Sequence, residues 1–302
     1  MPLDITGTPR LSTPLRDSIR SVPNEESSPT IVSISDIHGY LEAARSALLT
    51  LADHPGFDPV VVADEDGTLH WANNNYVLVF NGDLIDRGPA NEAVLKMVAR
   101  LIKEAPPGRV RVTLGNHEAI LLSTDHFGYS NWFAGQVNVD DRRLFLEPVL
   151  AGHVVAAYQG YNVTYAHAGS PDPYSVSEVN ESLIKAAKKL ADGLGTNDDV
   201  RVQQQVIDEH QRVLGVGDGH PKSPGAGLVW LDFAYLPKDA PPQVVGHTRH
   251  TTPQRKGQVH CQNVLRNNLD SEGGEAVFVE EPNFLYAVTR CPHSNVKTKI
   301  LR

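Results

Sequence analysis

Residues 77–88 read Val77-Leu78-Val79-Phe80-Asn81-Gly82-Asp83-Leu84-Ile85-Asp86-Arg87-Gly88. A short run of Val, Leu and Phe closed by Asn-Gly predicts a buried strand that ends in a sharp turn. The turn sets two carboxylates and one guanidinium at the strand's carboxyl end, where open α/β sheets place their ligands. Asp83 and Asp86 are near enough to share a site yet free to reach different partners. Arg87 offers a planar fork suited to phosphate. Taken alone, a solvated acidic turn with a local ion pair accounts better for the stretch.

Two further stretches repeat the pattern. Asp36-Ile37-His38-Gly39 follows the strand-like Thr30-Ile31-Val32-Ser33-Ile34, and Gly115-Asn116-His117-Glu118 follows Arg109-Val110-Arg111-Val112-Thr113-Leu114. Three times a β-rich run ends in glycine with Asp, Asn or His, the residue types that bind a divalent metal through oxygen and imidazole nitrogen. Asp36 and His38 are two apart, so in an extended chain both side chains leave on one side. Singly, Asp36 reads as a helix N-cap and His38 as a surface loop histidine.

Composition narrows the rest. With 302 residues, 40% hydrophobic and 21% charged, the chain is an ordinary globular one, able to bury a large core. A net charge of −9 offers no field for nucleic acid or an anionic membrane, so neither is expected as a partner. The two cysteines, Cys261 and Cys291, exclude a disulfide framework and a thiolate zinc site, and read as buried reduced thiols. No apolar run reaches membrane-spanning length, and acidic residues in the N-terminal region argue against a leader, so the expected location is cytoplasmic.

Residues 1–29 are rich in Pro, Ser and Thr and read as a flexible arm, with a short helix over 15–22, ahead of a single catalytic domain over 30–302. Helices are predicted over 40–53, 90–104, 179–194 and 199–214 from their apolar spacing. Val60 to Trp71 predicts a hairpin around Asp66-Gly67. A second hairpin is expected from His153–Tyr158 and Tyr161–Ala166, and a mobile loop over Gly215–Gly227. Strands are expected over 228–233, 243–246, 258–265, 276–280 and 284–289. Tyr129, Trp132 and Phe133 read as core or the underside of a lid rather than a base-stacking platform.

His167 in Ala166-His167-Ala168-Gly169 and His247 in Val245-Gly246-His247 each follow an extended apolar run and sit near glycine, which permits close approach. Asp36, His38, Asp83, Asn116, His167 and His247 together offer nitrogen and oxygen without sulfur, a set suited to manganese, iron or zinc. A middle carboxylate can bridge two divalent ions roughly 3.5–4 Å apart, and hydroxide generated between them can attack phosphorus directly. His117 could protonate the leaving oxygen, Asp86 could hold its tautomer, and Arg87 could bind a further phosphoryl oxygen. Of the 13 histidines, most need no special role; His153 is the main rival as a second-half donor, and His250 a lesser one.

These motifs resemble those of the phosphoprotein phosphatase family of binuclear metallophosphoesterases. Asp36 to Gly39, Gly82 to Gly88 and Gly115 to Glu118 match its three signatures, His167-Ala168-Gly169 is similar to its His-Gly-Gly motif, and Gly246-His247 matches its last metal histidine. The likeness covers roughly residues 31–250 and, in its hairpin insertion, looks most like the bacterial-type, Shewanella-like branch. It implies a calcineurin-like α/β fold, a central two-sheet β-sandwich flanked by helices. It also implies one metal on Asp36, His38 and Asp83 and another on Asp83, Asn116, His167 and His247, with manganese expected. Arg87 and Asn116 would contact phosphate, and Asp86 with His117 would form the acid pair. The family's second phosphate-binding arginine has no clear counterpart: Asp232 stands two residues past Trp230, and Arg142, Arg143 or Arg249 are the available substitutes.

The expected activity is hydrolysis of phosphate monoesters, on a phosphorylated protein or a small phosphoester. A bis(5′-nucleosyl)-tetraphosphatase-like pyrophosphohydrolase is the alternative, and a non-catalytic scaffold a third reading that the complete donor set disfavours.

Overall fold

The computed structural model describes residues 3–23 and 28–302. In chain order the strands are β1 (Thr30–Ile34), β2 (Val61–Ala63), β3 (Leu69–Trp71), β4 (Tyr76–Phe80), β5 (Val110–Thr113), β6 (Val154–Val155), β7 (Tyr158–Gln159), β8 (Thr164–Tyr165), β9 (Gln243–Val245), β10 (Gln254–Lys256), β11 (Val259–Cys261), β12 (Ala276–Glu281), β13 (Phe284–Arg290) and β14 (Val296–Ile300). The helices are α1 (Thr13–Asp17), α2 (Leu41–Leu48), α3 (Asn91–Glu104), α4 (Asn116–Leu122), α5 (Thr124–Phe127), α6 (Phe133–Gln136), α7 (Val139–Leu150), α8 (Val176–Gly193), α9 (Asp199–Glu209) and α10 (Gln211–Leu214).

All five residues of β4 are buried, as its unbroken apolar run requires of a strand covered on both faces. It pairs in parallel with β1 and β5 at the centre of a seven-stranded sheet ordered β14-β13-β12-β1-β4-β5-β6. A five-stranded sheet, β10-β11-β9-β8-β7, lies against it. Between the sheets, Ile31, Val77, Val79 and Phe278 of the first meet Tyr158, Tyr165 and Val244 of the second. The opposite face of the larger sheet, through Val32, Ile34, Leu78, Phe80 and Val112, packs on helices including α3, α4 and α7. Alternate residues of one strand thus serve two cores, and the result is a calcineurin-like fold, a two-sheet sandwich with helices outside. Among the described residues no helix is long and apolar enough to cross a membrane.

Several expectations change. Leu3 and Ile5 are buried in the helix-side core and Ile19 and Val22 in the inter-sheet core, so the described part of the N-terminal segment is docked rather than loose. Its few apolar residues cannot form a core, but they complete an existing one. Buried Arg111 donates to Leu15 O and Arg16 O, satisfying carbonyls that a short helix leaves open. The expected arm also includes Asn24–Ser27, which lie outside the described residues.

The expected hairpin of 153–166 is divided between the sheets: β6 extends the large sheet, while β7 pairs with β8 in the small one. Asn180 Oδ1 accepts from the N–H groups of Ala156 and Ala157 and holds that crossing. Residues 228–233 form turns, because Leu228 and Val229 donate to Arg212 O and Val213 O rather than to a strand. Gly215–Gly227 is cross-linked by its own backbone bonds, such as Gly227 N to Gly215 O at 2.8 Å. The hairpin β2–β3 forms as expected. Cys261 is buried and Cys291 half-buried, both as free thiols.

Candidate active site

Asp36 follows β1, Asp83 follows β4, Asn116 and His117 open α4 after β5, His167 follows β8 and His247 follows β9. Both sheets therefore deliver polar side chains from strand carboxyl ends to one edge of the sandwich. The turns there are strained: Asp36, His38, Asp83, Asp86, Arg87 and His247 all have φ between 50° and 74°. Left-handed geometry disfavours side-chain-bearing residues by about 1–2 kcal/mol each, so the surrounding structure must impose it. It also corrects the extended-chain expectation for Asp36 and His38, which share the site through turn geometry instead.

Backbone contacts hold these turns. Asp36 N donates to Gly82 O, His38 N to Asp83 O and Gly39 N to Leu84 O, at 2.8–3.0 Å. Fully buried Glu118 accepts from the N–H groups of Asp83, Leu84 and Gly115 at 2.8–3.0 Å, clipping the second motif to the third. Two glycines allow the approach: a Cβ on Gly115 would lie 2.3 Å from Asp83, and one on Gly246 2.2 Å from Asp36.

Asp83 is the meeting point. Its Oδ2 lies 3.3 Å from His167 Nε2, 3.5 Å from His38 Nε2 and 3.9 Å from His117 Nε2. His167 Nε2 also faces Asn116 Oδ1 at 3.3 Å and His247 Nδ1 at 3.2 Å. His167 Nδ1–H donates to Asn81 O at 2.9 Å and His38 Nδ1–H to Ile85 O at 3.0 Å, so in the neutral rings both Nε2 atoms present lone pairs to other acceptors. Such a cluster of facing acceptors is stable only around positive charge. Burial opposes charge on His167, yet Asp83 and Asp36 raise it to about 9. Burial holds His38 down at about 4, and burial together with His167 keeps His247 well below the usual histidine range. Asp83 is held well below the carboxylate range: burial would raise it, but His167 and His117 outweigh that.

Two groups have donor atoms within 4.8 Å of one another and could each hold a cation: His38, Asp83 and His117, and Asp83, His167 and His247. They share Asp83, and their oxygen and nitrogen donors fit a pair of divalent ions. Asp36 Oδ1 stands 3.8 Å from His38 Nε2, while the Asp36 carboxylate accepts from His247 N and Asn263 Nδ2. His117 is buried with its Nδ1 on Asp86 Oδ2 at 2.5 Å; Asp86 Oδ1 accepts from Ala134 N at 2.9 Å.

Arg87 is exposed and stacked on Trp132, its Cζ 3.9 Å from the ring centroid. Burial, and then the nearby charges of Arg266 and Arg249, lower its pKa. Arg249, one of the substitutes named for a second arginine, thus acts on Arg87 through its charge, as does Arg266, which was not expected. Arg142 is excluded: it is buried, and its Nη1 and Nη2 donate to the two Asp199 carboxylate oxygens at 2.9 Å each. His153 is likewise engaged elsewhere, donating through Nε2 to Pro9 O. Sequence reasoning missed Asn263, Ala134 and Trp132 at this site. The aromatic cluster was the one visible signal among them, since a lone Asn or Ala carries none.

The fold and this edge define a phosphoester hydrolase of the metal-dependent type, and residues 29–248 match the calcineurin-like phosphoesterase family. The chain belongs to that family. It is 32% identical over 103 residues to Shewanella-like protein phosphatase 1 of Plasmodium berghei (strain Anka), 33% of this chain and 25% of that protein. It is 30% identical over 113 residues to the symmetrical bis(5′-nucleosyl)-tetraphosphatase of Chromohalobacter salexigens, 36% of this chain and 40% of that one. The chain therefore spans less than half the length of either relative. Its fold is similar to a cold-active protein tyrosine phosphatase structure, with TM-score 0.61 at 16% identity over 95% of this chain and 83% of the other.

Proposed function

We propose that the protein is a phosphoprotein phosphatase of the Shewanella-like type, removing phosphate from phosphorylated proteins with two divalent cations, manganese by preference. The observation that carries this reading is Asp83 Oδ2, 3.3 Å from His167 and 3.5 Å from His38, at the centre of acceptors that only positive charge can reconcile. Asp36, His38 and Asp83 would hold one ion, and Asp83, Asn116, His167 and His247 the other. Bound there, the ions supply a water of lowered pKa and positive charge for the phosphoryl oxygens.

The chain's own residues do the remaining work. Arg87 and Asn116 orient the phosphoryl group. His117 delivers a proton to the leaving oxygen, with Asp86 fixing the ring's tautomer and steadying its charged form. A cytoplasmic location would keep Cys261 and Cys291 as the free thiols they are here.

Purified protein should retain or require a divalent cation by elemental analysis, and with manganese should turn over a phosphopeptide but not diadenosine tetraphosphate. The second reading, a pyrophosphohydrolase, is favoured by the 30% identity over 113 residues to the symmetrical bis(5′-nucleosyl)-tetraphosphatase. Cleavage of the dinucleotide with inert phosphopeptide would establish that reading instead.

A further inference from the structure

We propose that Trp132 is a positioning residue that ties the phosphate-binding guanidinium of Arg87 to the proton-donating imidazole of His117. This inference rests on the phosphatase reading above. The indole is half-buried and uses its faces rather than its edge. The His117 ring lies parallel to it, 4.9 Å away at 13°, and the Arg87 Cζ sits 3.9 Å from its centroid. Tyr129 stacks on the indole at 4.2 Å and 12°.

The segment that carries Trp132 is built to hold this position. Trp132 N donates to Tyr129 O at 3.0 Å, and Gly135 N to Trp132 O at 3.1 Å. The fold-back requires glycine at 135, where a Cβ would lie 1.9 Å from Tyr129 O. One step before it, Ala134 N donates to Asp86 Oδ1 at 2.9 Å. A single short segment thus touches Asp86, Arg87 and His117, which come from two different motif loops.

A tryptophan that merely fills space has no need to lay its electron-rich face under a guanidinium and beside an imidazole. The Asp86 bond fixes the His117 ring at one nitrogen but leaves it free to tilt about that bond, and His38 stands at 84° to the ring with centroids 4.8 Å apart. The indole removes that tilt. Its contact with Arg87 means that the residue binding the phosphate and the residue protonating the leaving group rest on one support. Loss of the indole should therefore weaken phosphate binding and proton delivery together.

The test compares Trp132→Leu and Trp132→Phe with wild type, using manganese-loaded protein. Leu should weaken competitive inhibition by inorganic phosphate roughly 10-fold, and lower kcat on phenyl phosphate roughly 10-fold more than on p-nitrophenyl phosphate, which needs no proton. Phe, which keeps a flat face, should recover most of both losses. An equal loss on the two esters with phosphate inhibition unchanged would make Trp132 a filler and overturn the proposal. A readout independent of turnover is the ring-current shift of the His117 ring protons in NMR spectra of the protein loaded with diamagnetic zinc instead of manganese, which Leu should reduce markedly; an unaltered shift also overturns it. A wild type inert towards both esters defeats the phosphatase reading instead, and the ring-current result then decides the stacking by itself.

Discussion

Behind the N-terminal segment, Arg16 donates to Asp17 at 2.6 and 3.0 Å and to Glu181 at 2.9 Å, and Asn180 donates to Asp17 and to Ala157 O. Around Asp83, by contrast, His38 turns an Nε2 lone pair towards a carboxylate oxygen, His167 is drawn towards the charged form by Asp83 and Asp36, and the buried Nε2 of His247 has no partner among the described residues. Both regions bury charged side chains, yet donors and acceptors are matched in the first and acceptors are crowded in the second. In the Arg142–Asp199–Gln203 network too the contacts run from donor to acceptor, although Arg142 Nε has no partner among the described residues. Satisfied buried polar groups stabilise a fold, whereas several acceptors crowded around one buried carboxylate call for positive charge among them. Burial alone would not have separated the two.

The contrast can be broken most severely at its centre. Asp83→Asn should abolish cation retention by elemental analysis and lower phosphoester turnover by roughly 10⁴-fold, the scale seen when a cooperating catalytic group is removed. Activity and metal content near wild type would sink the shared-carboxylate idea. His117→Asn should spare metal content but lower kcat on phenyl phosphate roughly 10³-fold, with a much smaller loss on p-nitrophenyl phosphate. Equal losses on the two esters would remove the proton-donor assignment.

On the satisfied side, Asp17→Ala leaves Arg16 buried with Glu181 as its remaining carboxylate. It should destabilise the fold by about 3 kcal/mol in urea unfolding while metal content stays at the wild-type level. A loss of bound metal in that folded variant would mean the regions are not separate. The smallest effect concerns His153, which burial holds down at about 4 while its Nε2–H serves Pro9 O. Between pH 4 and the ordinary histidine value of 6.5 the unfolded chain binds more protons than the folded one, so stability falls as pH falls through that window. His153→Gln, which keeps a donor but does not titrate, should flatten the decline by roughly 1 kcal/mol in thermal or urea unfolding followed from pH 6.5 to 5.

Much of the site was legible before any geometry, because three strand-to-turn motifs each pack several donors into four to seven residues. A local pattern of that density survives any reading of the rest of the chain. His167 and His247 were legible more weakly, through an apolar run and a neighbouring glycine. The second arginine was narrowed only to Arg142, Arg143 or Arg249. Arg142 sits on an unremarkable helical stretch and pairs with Asp199, 57 residues away. Arg266 lies beyond the last motif, where spacing carries no information about what it faces. Strand β14 was overlooked because Val296–Ile300 alternates with lysine and is largely exposed at the sheet's edge, so it has little apolar signature.

By itself the amino-acid sequence determined the family, the alternation of buried strands with helices in the first half, and the chemical types of the donors. Those are properties of short windows, governed by side-chain periodicity and turn-forming residues. Only the tertiary structure decided that the two sheets bring His167 and His247 to Asp83, that Glu118 clips the loops together, that residues 3–22 are docked rather than loose, and that Trp132 lies against both Arg87 and His117. These depend on contacts between residues far apart in the chain, where the free energy is set by packing and by which polar atoms meet, and no local pattern encodes either.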